Sequence, residues 1–157
     1  MAELTPLDEK LAEVLGLAQA AQQATKQVAG MEGADEFKTA LEEMAEQAAE
    51  TERRTDGHID TLEGRKTAIR DMARETKTEA VEMMKTYLED EEEALDGFEF
   101  LSMAEAGELC HWEIVQVIAD RTGESEAKAL ADWAVDVQRR HVESVRSAYL
   151  GLAAQEA

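Results

Sequence analysis

A chain of 157 residues with 36 acidic against 16 basic side chains carries a formal charge of −20, which sets it against nucleic acid and anionic membrane surfaces. One proline, nine glycines and 4% aromatic residues, with Ala, Glu, Leu and Met prominent, describe an all-α protein. The length suggests one domain over residues 1–157, large enough to bury its own core. The absence of an 18-residue apolar run argues against a membrane span, and that of a basic-then-apolar start against a signal peptide. A single cysteine excludes an internal disulfide and fits a cytoplasmic protein.

The first predicted helix opens at Thr5-Pro6, an N-cap followed by a first-turn proline. Leu7, Leu11, Val14, Ala18, Ala21, Thr25 and Ala29 recur on one face until Gly30. After "GMEGADE", with Asp35 as a cap, a second helix carries Phe37, Leu41, Met44, Ala48, Thr55, Ile59 and Leu62, and of its two candidate ends, Gly57 and Gly64, the second is preferred because Ile59 and Leu62 continue the stripe. A third amphipathic stretch gathers Ile69, Met72, Ala73, Ala80, Met83, Met84 and Tyr87. The acidic run Glu89–Asp96 then sits where a helix N-terminus favours negative charge. A fourth helix ends before Gly123, and Ser125 caps a fifth whose inward face holds Leu130, Ala134, Val137, His141, Val145, Ala148 and Leu152. No segment alternates as a strand does. Four long helices with one extra helix in the middle result.

The stretch Phe98–Val115, "FEFLSMAEAGELCHWEIV", is the informative one. On a wheel of about 100° per residue, Phe98, Glu105, Glu108, Trp112, Val115 and Ala119 lie within about 60° of Leu101. Both glutamates therefore fall inside the apolar stripe. His111 lies beside a second apolar strip of Phe100, Ala104, Ile114 and Ile118. Glu99, Cys110, Glu113 and Val117 point elsewhere. Burying an ionised carboxylate without a partner costs several kcal/mol. A raised pKa, a cationic partner or a metal would each resolve it. His141 lies on the inward face of its helix, His58 on the edge of the second helix's stripe, and Glu52 near the level of His58. Glutamate and imidazole projecting into a bundle suit iron, manganese or zinc. The methionines and both tryptophans read as core filler.

These residues give the chain a resemblance to the ferritin-like superfamily, in its branch of small bacterial ferritin-like proteins and rubrerythrins. The resemblance implies a four-helix bundle of two hairpins, here with an additional helix in the crossover between bundle helices 2 and 3. It also implies a di-iron site with a Glu from two helices and a Glu-x-x-His from each of the others. "TDGH", Thr55–His58, and "QRRH", Gln138–His141, lie where two such motifs belong, keeping the histidine and lacking the glutamate. "EAGELCHWE" holds one intact motif, Glu108–His111. The first helix turns Gln22 inward and Glu13 away, so a reduced, asymmetric or lost site fits better than a complete one.

The expectation is thus a metal-binding ferritin-like protein, engaged in iron oxidation or storage or in protection against peroxide. Its candidate ligands are Glu105, Glu108, His111, His141, His58 and Glu52, with iron as the expected metal, or manganese or zinc. Two other readings stand beside it. One is a metal-free bundle acting as a structural or protein-interaction module, and the other is a helical protein whose acidity reflects a halophilic host. A homodimer is favoured, since the strip of Phe100, Ala104, Ile114 and Ile118 must be covered by the middle helix or by another subunit. No nucleophile triad, phosphate loop, CxxC pair or zinc-finger spacing supports another enzyme class.

Overall fold

The computed structural model describes residues 3–157. Five α-helices carry the fold: α1 (Pro6–Ala29), α2 (Lys38–Asp60), α3 (Lys66–Leu88), α4 (Ala94–Thr122) and α5 (Ser125–Glu156). A 3-10 turn, Asp35–Phe37, leads into α2. No helix is long and apolar enough to cross a membrane among the described residues.

The helix ends follow local chemistry. Thr5 accepts from the Asp8 backbone N–H while the Asp8 carboxylate accepts from the Thr5 N–H, a reciprocal capping box in front of Pro6. Gly123 ends α4 with φ 74°, the left-handed conformation that glycine adopts without a Cβ penalty. Three boundaries differ from the sequence reading: Asp35 opens the 3-10 turn, and the N-cap of α2 is Phe37. Ser125 is the first residue of α5 and Glu124 the cap. Helix α2 stops at Asp60, ahead of Gly64, because Thr61 and Leu62 already turn back onto the carbonyls of His58 and Ile59. Gly64 (φ 84°) then serves the turn into α3.

Successive helices run antiparallel. Arg65, between α2 and α3, pairs with Asp8 in the first turn of α1. At the opposite end, Glu32 after α1 donates its backbone N–H to the Glu92 carbonyl and accepts from the Ala94 N–H at the start of α4, and Gln155 of α5 reaches Glu36 ahead of α2. Helix α1 packs against α2, α3 and α4, α4 packs most extensively on α5, and α5 closes back on α2. Helix α3 rests on α1 and touches α4 only lightly.

Two apolar clusters fill the interior. The first holds Leu11, Leu15, Ile59, Ile69, Trp112 and Val115, and the second Val28, Leu41, Leu88, Phe98, Leu101 and Val145. Each fully buried aliphatic side chain contributes about 1.5–3 kcal/mol. Between the clusters, every one of α2, α4 and α5 presents polar residues at the same level: Thr51 and Thr55, Glu105 and Glu108, Gln138 and His141, all buried. That polar layer is where the acids of the Phe98–Val115 stretch lie.

Candidate functional site

The wheel places α4 correctly. Glu105 and Glu108 are buried with Phe98, Leu101, Trp112, Val115 and Ala119, while Glu99, Cys110, Glu113 and Val117 are exposed. Each acid meets α5. The Nδ1 atom of His141 is 3.0 Å from Glu105 Oε1, and Gln138 Nε2 donates to Glu108 Oε2 over 3.4 Å.

His141 is the hinge of the layer. Its Nε2 lies 2.6 Å from Gln47 Oε1 of α2. Gln47 Nε2 lies in turn 3.4 Å from Glu43 Oε1 at the surface. Both ring nitrogens therefore face acceptors, an arrangement satisfied by the doubly protonated ring. Desolvation pushes the Glu105 carboxyl up, but hydrogen bonds from Glu108 and His141, the charge of His141 and a bond from Gln138 outweigh it, so the group lies below its ordinary value. Burial, with the Glu105 charge next, drives Glu108 well above its ordinary value. Of the two acids, Glu108 is therefore the one that keeps its proton to higher pH. The Oε2 atom of Glu105 has no hydrogen-bond partner of good geometry although it is shielded from solvent. The proton on Glu108 is the donor placed to reach it.

The other expected ligands go elsewhere. Glu52 of α2 accepts from Gln22 Nε2 (2.8 Å) and Gln19 Nε2 (3.0 Å), both on α1. His111 turns outward to α1, with Nδ1 2.8 Å from the Gly107 carbonyl and Nε2 3.0 Å from Glu13 Oε2. His58 is half-buried, and its side chain makes no hydrogen bond among the described residues. The expectation that His111, His58 and Glu52 gather with Glu105, Glu108 and His141 is thus corrected: one carboxylate–imidazole pair and one carboxyl–amide pair form, Glu52 and His111 have separate partners, and His58 stands apart. The sequence reading missed Gln47 and Gln19. Gln47 lies one turn before Thr51 on the inward side of α2, which was the available signal.

A di-iron centre needs six donors, and this set does not fit one. Gln22, Thr55 and Gln138 stand where the resemblance calls for acids. The two amides donate to carboxylates, and the Thr55 hydroxyl donates back to the Thr51 carbonyl. No group of three or more His, Cys, Asp or Glu side chains is arranged to hold a metal ion among the described residues. No family model, curated protein or solved structure matches the chain.

Two further expectations about the core need correction. Met83 and Met103 are 59% and 51% exposed, because α3 stands away from α4 at that level. Trp133 is half-buried, with the Arg54 guanidinium 4.2 Å above its ring. The strip beside His111 is partly covered by α3, with Tyr87 and Phe100 ring centroids 5.8 Å apart.

Proposed function

We propose that the chain is a ferritin-like bundle in which α1, α2, α4 and α5 form the four-helix bundle and α3 the additional helix of the crossover. Its central layer has exchanged metal for protons and amides. In this reading the protein is a metal-free structural or interaction module and performs no iron chemistry. The observation that carries it is His141, whose two nitrogens both face acceptors and which therefore supplies the positive charge that a metal would supply. Support comes from the packing order of the helices and from Gln22 and Gln138 donating where acids would ligate.

One observation favours a second reading. The unpartnered Glu105 Oε2 is an oxygen donor beside Glu108, whose carboxyl burial pushes well above its ordinary value, and a single Fe(II), Mn(II) or Zn(II) ion binding there would displace a proton. Titration of the purified protein with each metal separates the two. The metal-free reading expects no stoichiometric uptake, and uptake gained on introducing Gln22→Glu, Thr55→Glu and Gln138→Glu together. One-to-one uptake by the unmodified protein, lost in the Glu105→Gln/Glu108→Gln variant with the helices intact, overturns it in favour of the single-ion site.

A further inference from the structure

A cavity of about 220 Å³ runs between α1, α3 and α4. Its walls are Met83, Met84 and Tyr87 of α3, Phe100 and Met103 of α4, and a floor of alanines on α1. It extends along α4 from Phe100 to His111, eleven residues and so about 16 Å. Long and narrow, it suits one extended chain rather than a fused ring system. Methionine walls adapt to such a chain without a fixed shape. Three of the wall residues, Met83, Tyr87 and Met103, are among the few large apolar side chains this acidic surface exposes, and together they form a patch of the kind that marks a binding site.

The Tyr87 hydroxyl belongs to the Phe100 end of the cavity, and the other ionisable or polar side chains are at the opposite end. Glu108, only 6% exposed, and His111 lie there, one turn apart on α4. No lysine or arginine lines any part of it. An anionic head group would meet a chain of charge −20 with no cation to receive it. An ammonium head would be stripped of water against a carboxyl that is itself buried and already engaged by Gln138. A neutral hydroxyl head can donate to a Glu108 carboxyl oxygen without bringing a charge into the cavity.

We propose that the cavity between α1, α3 and α4 binds an uncharged amphiphile with a single apolar chain, its hydrogen-bonding head against Glu108 and His111. The proposal goes beyond the metal-free reading and does not depend on it, because the cavity shares only Glu108 with the central layer.

The test is fluorescence titration with the neutral apolar dye N-phenylnaphthylamine, followed by displacement with decanol, decanoate or decylammonium. The expected result is one saturable dye site, displaced by decanol at concentrations at least ~10-fold below those of either ion. Ala104→Trp and Ala80→Phe fill the cavity from half-buried positions, and each lowers dye affinity ~10-fold or more. Val117→Trp, on an exposed face of α4, leaves it unchanged, and circular dichroism verifies that all three variants fold. Absence of saturable dye binding overturns the proposal, as does displacement by either ion as readily as by decanol. A dimer by light scattering that Ala104→Trp dissociates, with no dye bound by the parent protein, overturns it in favour of a second copy covering this face.

Discussion

The imidazole of His141 and the carboxylate of Glu105 meet 3.0 Å apart with each side chain only 3% exposed. An ion pair this deeply buried repays its desolvation only while both members are present. His141→Leu leaves Glu105 without its cation, and Glu105→Leu leaves His141 without its anion. Each change is expected to cost about 3–5 kcal/mol in urea unfolding. The double variant is expected to recover much of that loss, since two apolar groups of similar volume need no partners. A double variant as unstable as the sum of the singles would show that the two residues act separately.

Gly16 decides how closely α3 lies on α1. A Cβ added there would sit 2.5 Å from the Ala73 carbonyl oxygen and 2.9 Å from the Lys77 backbone nitrogen. Both are backbone atoms, so the helices must separate. Gly16→Ala is expected to cost about 1–3 kcal/mol despite the better helix propensity of alanine. Gly151 of α5 has nothing within 4 Å of its Cβ position, and there Gly151→Ala is expected to add about 0.5–1 kcal/mol. Thermal unfolding of the two single variants checks the opposite signs.

The buried face of α4 was legible because a period of 3.6 residues depends on nothing outside the helix. The wheel placed Glu105 and Glu108 with Leu101 and Trp112 before any partner was known. What each acid meets was not legible, because Gln138, His141 and Gln47 come from α5 and α2 and their register is set by packing. The same limit explains Met83 and Met103. Their spacing is that of core residues, and only the shallow contact of α3 with α4 leaves them exposed. Thr5, Pro6 and Gly123 were readable as stop and start signals because caps are local. The end of α2 was less so, since Gly57 and Gly64 both offered a break and the chain turned at Thr61 between them.

Asp8 joins two devices at the base of the fold. It completes the capping box with Thr5, and its Oδ2 lies 2.9 Å from Arg65 Nε in the connection before α3. Thr5→Ala removes the cap alone and is expected to cost about 1 kcal/mol. Asp8→Ala removes both the return bond of the cap and the tie to Arg65, and is expected to cost more. Arg65→Ala should affect stability least, because the guanidinium side chain is 36% exposed and such pairs are screened by water. Urea midpoints in the order Thr5→Ala above Asp8→Ala and below Arg65→Ala would bear out the assignment, and equal values for Asp8→Ala and Thr5→Ala would refute the second device.

Glu105 and Glu108 give stability opposite dependences on pH. The folded-state value of Glu105 lies below its ordinary 4.5. Its contribution is present above pH 4.5 and is lost as the pH falls through the folded value, because the unfolded chain then binds more protons. Glu108 is raised well above 4.5, so the folded protein holds a proton that the unfolded chain has released. Stability therefore falls as the pH rises from 4.5 towards the folded value of Glu108. Glu108→Gln keeps a neutral hydrogen-bonding group at that position and removes the titration. Urea midpoints measured from pH 4.5 to 8 should fall less steeply in Glu108→Gln than in the parent, with the variant the more stable of the two at the alkaline end. The remaining slope belongs to repulsion within a chain of charge −20 and should shrink in high salt, whereas the difference between parent and variant should persist, because a buried carboxyl is beyond the reach of screening ions. Parallel curves for the two proteins would mean that Glu108 is ionised in the folded state, and the proton assigned to the central layer would have to be abandoned.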